Sequence, residues 1–112
     1  MTNIFPEPIL NLPEIEAPYQ GLKAYLSQGE NHQIIFMEFE EDTDILEHSH
    51  DSQWEIVLEG KVDYWEDGNK YTFKKGDRFF IPKGKKHYAK VYAGYASIVF
   101  FNQKERYKKK SK

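Results

Sequence analysis

Apolar and polar residues alternate with a period of two over short stretches along most of this chain. In GLKAYLS (21–27), Leu22, Ala24 and Leu26 share one side of an extended segment, and QGEN follows as a turn. HQIIFMEF (32–39) is a second strand with a dense apolar centre. WEIVLEG (54–60) and KVDYWE (61–66) meet at Glu59-Gly60, and Asp67-Gly68-Asn69 closes a hairpin because glycine adopts the positive φ such turns need. KYTF, RFFI, HYAKVY and YASIVFF complete about eight short strands. Gly and Asp interrupt each window before a 3.6-residue period develops, so helix is confined to a turn or two within 102–109. Strands repeating every ~8–12 residues predict an all-β fold, an antiparallel β-barrel or jelly roll.

Composition adds boundaries to this pattern. Four of the five prolines fall in residues 1–20, which read as an extended arm along the domain or a neighbouring subunit. The barrel is expected over 21–103. Residues 104–112, KERYKKKSK, carry six basic residues and one acid, although the net charge of the chain is −2. The rest of the chain is therefore acidic, which disfavours nucleic acid as a partner, and the basic tail reads as a solvated, frayed end. The absence of cysteine excludes a disulfide framework and a thiolate metal site. No apolar run approaches the ~18 residues that span a bilayer. The first residues lack the basic and continuous apolar regions of a secretory leader. A cytoplasmic protein without a membrane partner is the expectation.

The candidate chemistry lies in LEHSHDSQWEIVLEG (46–60). His48 and His50, two apart in an extended segment, project to the same side. After a bend at Asp51-Ser52, Gln53, Glu55 and Val57 share one face of the next strand, while Trp54, Ile56 and Leu58 share the other. His87 follows the turn enforced by Pro82 and Gly84. His32 sits at a turn without a partner in the pattern and reads as a surface residue. Phe79, Phe80, Tyr88, Tyr92 and Tyr95 read mainly as core filling. By itself His-x-His is a weak signal, since such pairs equally serve as solvated or hydrogen-bonded imidazoles.

Two spaced motifs sharpen that signal. Gly76, Pro82, Gly84 and His87 reproduce Gly, five residues, Pro-x-Gly, two residues, His; His48, His50 and Gly60 reproduce much of a preceding His-x-His…Gly motif. In these residues, spanning 42–91, the chain resembles the small single-domain metallo-cupins. Asp42 stands where the first motif has Gly, and Val91 where the second has Asn. The acidic ligand position, seven residues before the closing Gly, is Gln53; counted forward from His50 it falls on Glu55. Strand register is pinned by the turn at Gly60, which favours Gln53.

The resemblance implies one divalent transition metal (iron, manganese, nickel or zinc) held by His48, His50, Gln53 and His87, with Glu55 the runner-up ligand. Three imidazoles and an amide leave the ion its full charge, which strengthens polarisation of a bound oxygen. An inward carboxylate at Glu55 is then a ligand, a general base beside the metal or half of a buried pair, unless the strand turns it to solvent. The resemblance also implies a homodimer packed through the Trp54, Ile56 and Leu58 face. The function implied is a metal-dependent isomerase, lyase or dioxygenase acting on a small carbonyl or carboxylate compound. The alternative is a non-catalytic sensor of a small ligand.

Overall fold

A computed structural model describes residues 4–16 and 18–110. Within them the order is a short helix α1 (Glu7–Leu10), then β1 (Leu22–Gln28), β2 (Gln33–Phe39), β3 (Thr43–His48), β4 (Gln53–Glu59), β5 (Lys61–Glu66), β6 (Asn69–Lys74), β7 (Arg78–Ile81), β8 (His87–Val91) and β9 (Ala96–Phe101). The strands form two antiparallel sheets, one ordered β1-β2-β9-β4-β7 and the other β3-β8-β5-β6. The all-β expectation holds in that form, but neither sheet closes on itself among the described residues. β9 sits between β2 and β4, so the last strand joins the first hairpin to the middle of the chain.

The core lies between the sheets and follows the alternation. In β2, Gln33, Ile35, Met37 and Phe39 are buried while the intervening residues are partly exposed. Val57, Val99 and Phe101 extend this core in the same sheet, and Val62 and Val91 face it from the other. Gly60, between β4 and β5, has φ 76°, and a Cβ there would lie 2.8 Å from Tyr95 Cα. The glycine thus lets the β4–β5 turn rest on the backbone that leads into β9. At the β5–β6 hairpin, Asp67 and Gly68 both have positive φ, the twist-matched geometry of a two-residue turn.

Four readings need correction. β3, TDILEH, was not among the predicted strands; it is a sheet edge, its burial is irregular, and adjacent Ile45 and Leu46 break the alternation. The N-terminal arm is not extended throughout, because Glu7–Leu10 closes a helical turn with Pro8 near its start, where a missing N–H is tolerated. Residues 102–109 contain turns and no helix. Nor is the basic tail frayed over 104–110. Lys109 pairs with Ile15, and Glu16 and Lys110 donate backbone bonds to Lys108 and Glu14, each 2.8 Å long. The buried Gln33 side chain donates to the Tyr107 carbonyl and accepts from the Tyr107 N–H, both at 2.9 Å.

The outer face of the five-stranded sheet is unusually apolar. Phe5 packs edge-on against Phe36 there, but Trp54, Phe80 and Phe100 remain exposed and adjacent in register. Of the five aromatics read as core, Tyr95 is fully buried and Phe79 packs against the core. Phe80 and Tyr88 are exposed and Tyr92 is half-buried, because alternation turns them to the outer faces. Among the described residues no helix is long and apolar enough to cross a membrane.

Candidate metal centre

β3 and β8 run antiparallel, and a register shift between Ile45 and His48 brings His48 opposite His87. The chain then leaves β3, and His50 turns back onto the same point before β4 begins. The three rings have centroid separations of 4.4 Å (His48–His87), 4.9 Å (His50–His87) and 5.1 Å (His48–His50). One ring nitrogen from each lies within 4.8 Å of the others, so a small rotation of the rings lets one ion sit about 2.1 Å from all three.

The donor set fits a metal. His48 Nδ1 lies 2.8 Å from the Leu46 carbonyl, His50 Nδ1 2.7 Å from that of Asp51, and His87 Nδ1 2.8 Å from that of Lys85. A carbonyl oxygen only accepts, so each Nδ1 carries the proton and each Nε2 keeps a free lone pair. Burial pushes the His50 imidazolium down to about 4, with Arg106 and the other two histidines adding to the shift. Burial also lowers His87. Both rings are therefore neutral near pH 7, the form that binds a cation. The cluster can coordinate one divalent transition metal.

Gln53 and Glu55 lie on the inward face of β4, as the alternation predicts, both buried and both lining the same cavity as the histidines. The Gln53 amide nitrogen donates to Glu55 Oε1 at 2.7 Å, and the Tyr95 hydroxyl donates to Oε2. Burial raises the Glu55 carboxyl above the usual range, and these donors pull the other way. Ser97 faces the same carboxylate, but its hydroxyl makes no bond of good geometry. Tyr64 borders His87 with ring centroids 5.6 Å apart, and its hydroxyl donates to Glu66. The cavity measures about 70 Å3 and is lined beyond these groups by apolar and aromatic side chains and by Arg106. At roughly 10–15 Å3 per water-sized sphere, it suits only a small ligand.

Residues 35–97 match the cupin domain. The chain belongs to the cupin family. Among solved structures, this cupin is similar to an RmlC-like cupin from Shewanella frigidimarina (28% identity, TM-score 0.71, 84% of this chain and 86% of that one). It is also similar to KdgF from Halomonas sp. (17% identity, TM-score 0.68, 81% and 87%). The oxalate decarboxylase of Bacillus subtilis, a protein with Mn(II) centres, shares the fold at 17% identity and TM-score 0.68, over 87% of this chain and 29% of its own. No curated protein sequence matches this cupin.

His32 is apart from the centre, stacked on Phe100 at 5.1 Å. Sequence reasoning missed Arg106 and Tyr107, which line the cavity from the tail. A single tyrosine amid six basic residues is the only trace of a buried anchor in that segment.

Proposed function

We propose that this cupin is a metal-dependent enzyme acting on a small carbonyl or carboxylate compound. The observation that carries the reading is the convergence of three Nε2 lone pairs, each fixed by a backbone carbonyl behind it, on a cavity that also holds a buried carboxylate. His48, His50 and His87 would hold iron, manganese, nickel or zinc, with the Gln53 amide oxygen the fourth ligand. Such an ion supplies Lewis-acid polarisation of a bound oxygen. The Mn(II) centres of the oxalate decarboxylase that shares this fold support a carboxylate-handling role.

Glu55 is the proposed acid–base residue. Tyr95 and Gln53 hold its two oxygens in a fixed orientation, and burial raises its carboxyl above the ordinary range, which favours its taking up a proton. The sheets are proposed to act as a jelly-roll barrel in a soluble cytoplasmic protein without nucleic-acid partners. Two copies would pair through Trp54, Phe80 and Phe100, so sedimentation of the wild type as a dimer and of Trp54→Glu as a monomer is expected.

The test is metal content of untagged protein by mass spectrometry, beside proton exchange into small 2-oxo acids in heavy water. Near-stoichiometric metal and exchange that Glu55→Gln abolishes without losing metal is the expected result. Metal without exchange, with reversible ligand binding, would establish the second reading, a small-ligand sensor. That reading is favoured by one observation: both Glu55 oxygens already accept bonds.

A further inference from the structure

Arg106 reaches the metal cavity from outside the barrel strands. It lies in the segment that follows β9, held in place by the Gln33–Tyr107 bonds and by pairing of Lys109 with Ile15. Its guanidinium carbon stacks 4.5 Å from the Tyr107 ring centroid and 5.5 Å from that of Phe101. Phe101 in turn meets His50 edge-on at 5.4 Å, so a single aromatic ring separates the cation from a metal ligand.

Two observations set Arg106 apart from the other basic residues. It lines both the cavity with the three histidines and the shallower recess outside it, bordered by Glu47, His48, His50 and Gln103, so it stands at the mouth. Its Nε is buried without a hydrogen-bond partner, and no ion pair links it to a carboxylate among the described residues, Glu47 included. The sealed Nε costs about 1–3 kcal/mol while unpaired, and the guanidinium as a whole is half-buried with no carboxylate partner among the described residues, which leaves its charge for a planar anion. Stacking on two rings also restricts the side chain, which lowers the entropy lost when it binds.

We propose that Arg106 is the carboxylate-binding residue of this site, and that the ligand is a small 2-hydroxy or 2-oxo monocarboxylic acid. Its carboxylate sits on the guanidinium, and its hydroxyl or carbonyl oxygen points toward the three histidines. The cavity of about 70 Å3 between Arg106 and the histidines suits a small acid. The inference rests on the proposed metal-dependent function and adds the class of ligand to it.

The test uses full-length untagged protein, wild type, Arg106→Gln and Arg106→Lys, metal-free and loaded with Zn(II). Each is titrated calorimetrically with lactate and with lactamide, its neutral isostere. Lactate is expected to bind loaded wild type and to weaken at least ~10-fold in Arg106→Gln, with Arg106→Lys between them. Lactamide is expected to bind weakly and equally to all three. Equal lactate affinity in wild type and Arg106→Gln would overturn the proposal while leaving the metal centre intact. Parallel losses for lactate and lactamide would also overturn it, reducing Arg106 to a packing residue. If no Zn(II) binds, the metal reading fails alone provided that metal-free wild type still prefers lactate in an Arg106-dependent way; without that preference both fail.

Discussion

Replacing Gly60 by alanine separates two reasons for keeping a glycine, and Gly68 supplies the comparison. Both residues have φ 76°, so alanine at either position meets the same backbone strain, about 1–2 kcal/mol. At Gly68 a Cβ meets nothing within 4 Å, and strain is the whole cost. At Gly60 the Cβ falls 2.8 Å from Tyr95 Cα and 2.9 Å from Tyr95 N, backbone atoms that cannot rotate aside. Overpacking of that kind adds about 1–3 kcal/mol, for a total of roughly 2–5 kcal/mol. In a chain of 112 residues each kcal/mol lowers Tm by about 4 °C, giving losses of roughly 4–8 °C for Gly68→Ala and roughly 8–20 °C for Gly60→Ala. Thermal unfolding of the metal-free variants, followed by circular dichroism, reads both values. The clash also bears on Tyr95, whose hydroxyl donates to Glu55, so Gly60→Ala should disturb the cavity while Gly68→Ala leaves it alone. Equal Tm losses for the two variants would refute the argument that Gly60 is required by close approach rather than by φ alone.

Zn(II) at 100 times its Kd should stabilise wild type by about 2.7 kcal/mol and His87→Ala far less, read as the Tm shift on adding metal. The His50 imidazolium is pushed down to about 4 in the fold against 6.5 ordinarily, so the unfolded chain binds more protons between those values. Metal-free stability should therefore fall as pH drops from about 6.5 toward 4, and urea midpoints of His50→Gln should show a shallower fall. Gln33→Leu leaves the Tyr107 N–H and carbonyl without their partner, costing about 1–3 kcal/mol locally. Faster trypsin cleavage at Lys108–Lys110 than in wild type is the expected consequence.

The alternation in β2 and β4 made much of the fold legible, because each of these strands buries one face more deeply than the other, whereas β1 also buries Tyr25 between Ala24 and Leu26. β3 escaped because an edge strand with a register shift owes its shape to pairing with β8, which no local pattern encodes. For the candidate site, Gln53 and Glu55 were legible by register, and the histidine spacing pointed to His48, His50 and His87. The carbonyls behind each Nδ1 were invisible in the sequence, since backbone acceptors carry no residue code. Arg106 was hidden for a different reason. Its setting depends on Gln33, 73 positions earlier, and the lysines around it give the segment the composition of a solvated end.

The placement of β9 also governs how this chain must be made. During synthesis from the N-terminus, the β1–β2 hairpin and the β4–β7 pair each carry an open backbone edge that only residues 96–101 can cover. Until those residues emerge, Ile35 and Val57 lack the strand that completes their sheet, and the nascent chain presents two sticky edges to its neighbours. Products truncated before residue 96 should therefore form aggregates rather than smaller folded proteins, and the yield of intact protein should depend on how fast the last strand arrives.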